Sequence, residues 1–214
     1  MKKYELTDNF KMYLGRKLFQ IRALVDIGDV AKAGETGGYI EKEKNLDQCG
    51  DAWVYGDAWV YGDARVCDDA RVYGNATVFG NARVYGNARV AGNARVAGNA
   101  TVFGDARVSS NARVYGNARV SGNATVFGDT SVSGNAWVSN NADILQVTGL
   151  GTVHRTTTVY KAKDGIEIVC GCFRGGIEAF KKQVMDTRDG KVRNEYLKFA
   201  ELIEIYFNTG KEVL

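Results

Sequence analysis

The chain is 214 residues long and 45% hydrophobic, with 26 glycines, no proline, and 28 Lys and Arg against 25 Asp and Glu, a formal net charge of +3. That length and apolar content suit one domain with end caps and exclude a disordered or collagen-like chain. The charge excess is too small to indicate a nucleic-acid or membrane partner by itself.

Residues 1–50 open with MKKYELTDNFKMYL, which lacks the apolar run of a signal peptide. No stretch approaches the roughly 18 apolar residues of a membrane span. A cytoplasmic protein without a membrane partner is expected. Cys49, Cys67, Cys170 and Cys172 form neither a CxxC pair nor a dense framework and read as reduced thiols. Within this segment Arg16–Leu24 is β-like and the glycine-rich GETGGYIEKEKNL follows, so 1–50 is read as an N-terminal β cap.

From Asp51 to Gln146 the sequence runs in sixes of the form [N/D]-A-x-V-x-G, 16 hexads without an insertion, with departures such as Thr130 for Ala and Ile144 for Val. A fixed period of this kind outranks every other signal. In A-x-V the Ala and Val are two apart and point to one side of a strand, with the intervening residue on the other. Glycine then takes positive φ freely, and Asn and Asp tolerate it better than other residues, so each hexad ends in a bend. Nothing recurs at 3.6 residues, which excludes a helix. Three bends of about 120° close a coil of 18 residues, and coils stack about 4.8 Å apart as parallel strands. Val54, Val72, Val90, Val108, Val126 and Ile144 then form one internal column.

These hexads resemble the left-handed β-helix of the hexapeptide-repeat transferase superfamily. The resemblance implies the left hand, which the periodicity does not, since crossovers are generally right-handed. The expected fold is all-β dominated: a left-handed parallel β-helix of about five triangular coils over 51–146, between the N-terminal β cap and a C-terminal α+β cap over 147–214. In the latter, Thr156–Ala162 and Ile166–Cys172 flank the turn Lys163-Asp164-Gly165, and Gly176–Thr187 and Asn194–Phe207 show helical spacing. Cys170 and Cys172, alternating with Gly171 on one strand, should face the same side. Caps are expected because a solenoid has open strand edges at both ends. The end segments KYELT, GDVAKAGETGGYIEKEKNL and TTTVYKAKDGIEIVCGCFRGGIEAF are similar to hexapeptide-repeat proteins of bacteriophages and prophages, a family from which no activity carries over.

Hexapeptide acyltransferases use a histidine base, a protruding loop and a trimer groove that holds coenzyme A. The base takes the proton of the attacking hydroxyl or amine. The hexads here contain no histidine and no protruding loop. His154, the only histidine, lies just past them and reads as a cap-junction residue. No catalytic residue, cofactor or metal site is assigned. The period of six and the mostly neutral Asn bends fit turn chemistry better than the calcium of nonapeptide repeats.

The outward positions carry the binding candidates. The x of A-x-V reads Trp53, Arg71, Arg89, Arg107, Thr125 and Asp143 on a first face, Trp59, Thr77, Arg95, Arg113 and Ser131 on a second, and Arg65, Arg83, Thr101, Arg119 and Trp137 on a third. Stacked like charges repel unless neutralised. Solvent and the bend aspartates are the ordinary remedy; an anion is the functional one. Aromatics follow Val in the early coils, and Tyr55, Tyr73, Tyr61 and Phe79 read as an interface. Candidate ligand- or partner-binding residues are therefore Arg71, Arg89, Arg107, Arg95, Arg113, Trp53, Tyr55, Tyr73, Tyr61 and Phe79. The expected function is non-enzymatic binding, as a phage accessory protein that sequesters or inhibits a host protein, such as an immune-defence protein, or a nucleotide signal. A hexapeptide-type acyltransferase and a structural or assembly protein are the alternatives. The expected partners are a host protein or a phosphate-bearing small ligand, and further copies of the chain, with a trimer implied by the resemblance. Long duplex nucleic acid is disfavoured, because eight arginines against eight aspartates leave the repeat neutral.

Overall fold

The computed structural model describes residues 2–207; residue 1 and residues 208–214, which belong to the two end regions, lie outside the described residues. The hexads form fifteen two-residue strands, β4 (Trp53–Val54) to β18 (Trp137–Val138), each an x-V pair. Every third strand joins one sheet in parallel, so three flat faces run the length of a triangular shaft. The register is one coil: Val54 pairs with Val72, Val72 with Val90, and Val90 with Val108. Each coil hydrogen-bonds to the next through its backbone, as in Arg71 N–H to the Ala88 carbonyl at 2.9 Å and Tyr73 N–H to Val90 at 2.9 Å. The valines and every alanine at the A position of A-x-V through Val138 are 0–2% exposed, and Thr130, which takes that position in one hexad, is buried among them. One continuous apolar core fills the shaft.

The bends explain the glycine count. Gly74 has φ +71°, and a Cβ added there would sit 3.1 Å from the Gly92 nitrogen of the next coil. Glycine satisfies both the handedness of the bend and the close stacking. Asp68 and Ser110 stand in this position with φ of 59° and 60°. The bend side chains form ladders, Asn75 donating to Asn93, Asn93 to Asn111, and Asn111 to Asp129.

At the N-terminal end the antiparallel strands β1 (Tyr4–Tyr13), β2 (Arg16–Ala23) and β3 (Thr36–Ile40) extend one face, since β3 runs parallel to β5 (Trp59–Val60). Leu46 bridges to Val66, so residues 39–46 add most of a turn before the first hexad and the solenoid has about six turns. Tyr4, Ile21, Ile27 and Ile40 share the shaft core.

At the other end the last hexad departs from the expected coil. Asn140 occupies the glycine position but is extended, with φ −154°, and a 3-10 turn follows over Asn141–Asp143. Without the positive-φ bend the chain leaves the shaft. Ile144 therefore takes no rung in the valine column, although its half-buried side chain still packs against the end of the shaft core. It starts β19 (Ile144–Leu150), the edge of a separate antiparallel sheet that continues in order through β20 (Arg155–Ala162), β21 (Gly165–Cys170) and β22 (Phe173–Gly175). Helices α1 (Ile177–Thr187) and α2 (Gly190–Phe207) cover that sheet around a second apolar core. The β21 strand ends one residue before Gly171, whose φ is +61°. Gly171 and Cys172 form a two-residue turn, so Cys170 is half-buried and Cys172 exposed instead of sharing a strand face. Among the described residues no helix is long and apolar enough to cross a membrane.

Candidate functional site

The first face splits. Trp53 is 1% exposed, lying in the core beneath Tyr4 with ring centroids 6.2 Å apart. It does not point to solvent, because the N-terminal cap covers the start of this column. Asp143, at the far end of the column, is also buried. Its carboxylate accepts from the Ser139 hydroxyl (2.6 Å), from the Ser139 and Asn140 amides, and from Lys161 at 2.7 Å. Burial opposes its ionisation, but the Lys161 and Ser139 hydrogen bonds outweigh that and hold its carboxyl below the usual range. Arg71 is half-buried and paired with Asp29 of the cap at 2.5 Å. Arg89 and Arg107 remain exposed on adjacent rungs. Beside them Tyr55 and Tyr73 stack face to face, 4.9 Å apart and 8° from parallel.

On the second face the early aromatics are taken up within the chain. Tyr61 is 7% exposed and clusters with Leu18 and Tyr39, while Tyr13, Trp59 and Phe79 pack against it. Tyr13 of the β1–β2 hairpin meets Trp59 at 4.9 Å and Tyr61 at 5.6 Å. Burial, with Tyr13 beside it, pushes the Tyr61 phenol up to about 12. On this face the early aromatics form the floor on which the hairpin packs. Arg95 lies 5.6 Å from the Phe79 ring, and Arg113 follows on the next rung.

The third face stays open. Arg65, Arg83 and Arg119 are exposed along one column. With Cys67, Tyr85, Thr101 and Phe103 they line a groove of about 410 Å3. Tyr85 and Phe103 stack 5.0 Å apart in its lining. Burial and the Asp68 carboxylate raise the Cys67 thiol, which disfavours the thiolate here. Beyond Arg119, in direct register, comes Trp137, 55% exposed. Arg119, Trp137 and Lys163 border a further hollow of about 350 Å3.

Among the described residues, seven of the eight shaft arginines have no carboxylate within ion-pair distance; Arg71 is the exception. Several bend aspartates are engaged elsewhere. Asp57 and Asp63 pair with Lys11 and Lys42 of the N-terminal cap, and Asp105 and Asp129 accept from the asparagine ladders. Arg65, Arg83, Arg119, Tyr85, Phe103 and Trp137 of the open face lie outside the binding candidates read from the sequence. Writing the hexads in rows of three puts these residues in one column. The end caps, which decide which column remains uncovered, have no periodicity to read.

His154 is exposed with φ 47°, in the β19–β20 connection, its Nδ1 3.1 Å from the Gly149 carbonyl. Among the described residues no group of three or more His, Cys, Asp or Glu is placed to hold a metal ion.

A family model described as the YdcK beta solenoid repeat matches residues 64–80, 70–84, 82–98, 112–128 and 118–134. Every match falls within the shaft, and none exceeds the 18-residue period of one coil. No curated protein matches the chain. The shaft is thus a β-solenoid by its sequence repeat as well as by its strand pairing.

Proposed function

We propose that the protein is a binding protein whose solenoid is a rigid support, and that its third face holds a phosphate-bearing ligand. The observation that carries this reading is the column Arg65, Arg83, Arg119, three exposed guanidiniums without carboxylate partners that lead in register to the exposed indole of Trp137. Arg65 and Arg83 stand on neighbouring rungs, with Arg119 one rung further on beyond Thr101, and an anion between the neighbouring pair removes the cost of their repulsion. Guanidinium binds phosphate through paired hydrogen bonds, and an indole one rung away gives a flat surface for a base. A nucleotide meets both requirements. The likeness of the end segments to phage and prophage proteins supports a setting in an infected bacterium, where holding a nucleotide signal away from its receptor would disable the host response. A homo-oligomer, with a trimer as the arrangement, is part of the proposal. The half-exposed Tyr55–Tyr73 pair is the aromatic surface left for it.

The test is titration calorimetry with cyclic nucleotides at low salt. The variant R65S/R83S/R119S should lose at least about tenfold in affinity, since each charged hydrogen bond contributes about 1.5–3 kcal/mol. The first-face variant R71S/R89S/R107S should change affinity by less than about threefold, a difference under 1 kcal/mol. Equal binding by wild type and the third-face variant would sink the assignment.

A further inference from the structure

We propose that the C-terminal cap contains a second site, independent of the shaft, that takes a small organic anion with an apolar body. The sheet β19–β22 and the helices α1 and α2 border a cavity of about 410 Å3, within the roughly 300–1,000 Å3 of small-molecule sites. Its wall is apolar and fixed: Phe180 is 2% exposed, tilted on Phe173 at 5.3 Å and edge-on to Tyr196 at 5.9 Å, with Val184 beside it.

Two cations stand at the rim, Arg155 and Arg188, against one acid, Asp189. Neither arginine has a carboxylate within ion-pair distance among the described residues. The Arg155 guanidinium lies over Gly171, where a Cβ would collide with it, so the glycine makes room for that placement. Inside, the Tyr196 hydroxyl has only long contacts among the described residues, 3.9 Å to the Cys170 sulfur and 3.5 Å to the Leu150 carbonyl, which leaves it able to bond a ligand. An inorganic ion would leave the aromatic wall unused, and a hydrocarbon would leave the guanidiniums unused. A carboxylate or sulfonate on an aryl or alkyl body uses both.

The test pairs two probes, 1-anilinonaphthalene-8-sulfonate and the uncharged N-phenyl-1-naphthylamine, on the full chain. Wild type should bind one sulfonate per chain. R155Q/R188Q should weaken the sulfonate at least about tenfold and the amine by less than twofold. V184W should remove both by filling the wall. R65S/R83S/R119S should bind the sulfonate as wild type does, which separates this site from the shaft reading. The cavity also carries its own reporters, because Cys170 and Cys172 line it while Cys49 is exposed at the other end of the molecule. Bound sulfonate should slow iodoacetamide modification of Cys170 and Cys172 but not of Cys49. Absence of binding, equal sulfonate affinity in R155Q/R188Q, or unprotected cavity thiols would overturn the proposal. If V184W does not fold, the two exposed arginine substitutions and the thiol protection still decide it.

Discussion

The two ends of the shaft solve the open-edge problem in opposite ways. The N-terminal cap continues the solenoid: β3 keeps the parallel register, and Tyr4, Ile21 and Ile40 enter the same core. Its contacts at the edge are direct. The buried Lys3 ammonium donates to the carbonyls of Gly50 at 3.0 Å and Ala52 at 2.9 Å, and burial lowers its pKa. The C-terminal cap stops the solenoid instead. It abandons the bend at Asn140, builds a separate antiparallel sheet and keeps a second core of its own, entering the shaft core through Tyr160, whose hydroxyl lies 3.2 Å from the Ser133 amide, with Ile144 and Val169 packed beside it, and meeting the last coil at the Ala136–Ala162 bridge. An end built wholly into the shaft core is bound to the shaft's stability, whereas an end with a second core of its own can open apart from it. The open face starts at Arg65 in the first coil and reaches Trp137 in the last, and the cavity lies within the second kind of end.

Three measurements sharpen the contrast. The scale is set midway along the shaft, where Val90→Asp places an unpaired charge at a fully buried position. It should cost more than about 4 kcal/mol and unfold neighbouring coils. A soluble variant with an unchanged melting temperature would break the coil description. Next, the two end tryptophans should diverge. Trp53→Ala removes a buried ring shared by shaft and cap and should cost about 3–5 kcal/mol. Trp137→Ala, on the open face, should stay within about 0.5 kcal/mol. Equal losses on chemical denaturation would mean that both ends are covered alike.

The smallest effect concerns acid. The Asp143 carboxyl titrates below its ordinary value of about 4, so its stabilising contribution is present in full above that value. It is lost as pH falls through the depressed folded value. Amide exchange in β19 and β20 should therefore rise below about pH 4 before exchange in the shaft does. Asp143→Asn should remove this acid step and cost about 1–3 kcal/mol at neutral pH, because three donors and Lys161 lose their charged acceptor. Simultaneous opening of cap and shaft would contradict the separateness of the C-terminal core.

Much of this was legible beforehand. The hexads dictate buried Ala and Val, outward x and glycine bends, and the helical spacing of Gly176–Thr187 and Asn194–Phe207 corresponds to α1 and the later part of α2. The misplacements fall where the repeat meets something else. Trp53, Tyr61 and Asp143 occupy outward positions by pattern and are buried by the caps. Ile144 keeps the hexad pattern and leaves the shaft because Asn140 lacks the bend. Cys170 and Cys172 alternate in sequence and are separated by a turn.

The sequence by itself determined the shaft, because every hexad states the same local rule and the rule is satisfied by the nearest coil. Inward or outward orientation follows from the two-residue alternation of a strand and needs no knowledge of the rest of the chain. Only the tertiary structure decided which outward residues meet solvent. That depends on contacts far apart in sequence, such as Tyr4 over Trp53, Tyr13 on Trp59 and Asp29 on Arg71, which no local pattern encodes. Those contacts close the first and second faces at their start and leave Arg65, Arg83, Arg119 and Trp137 open on the third.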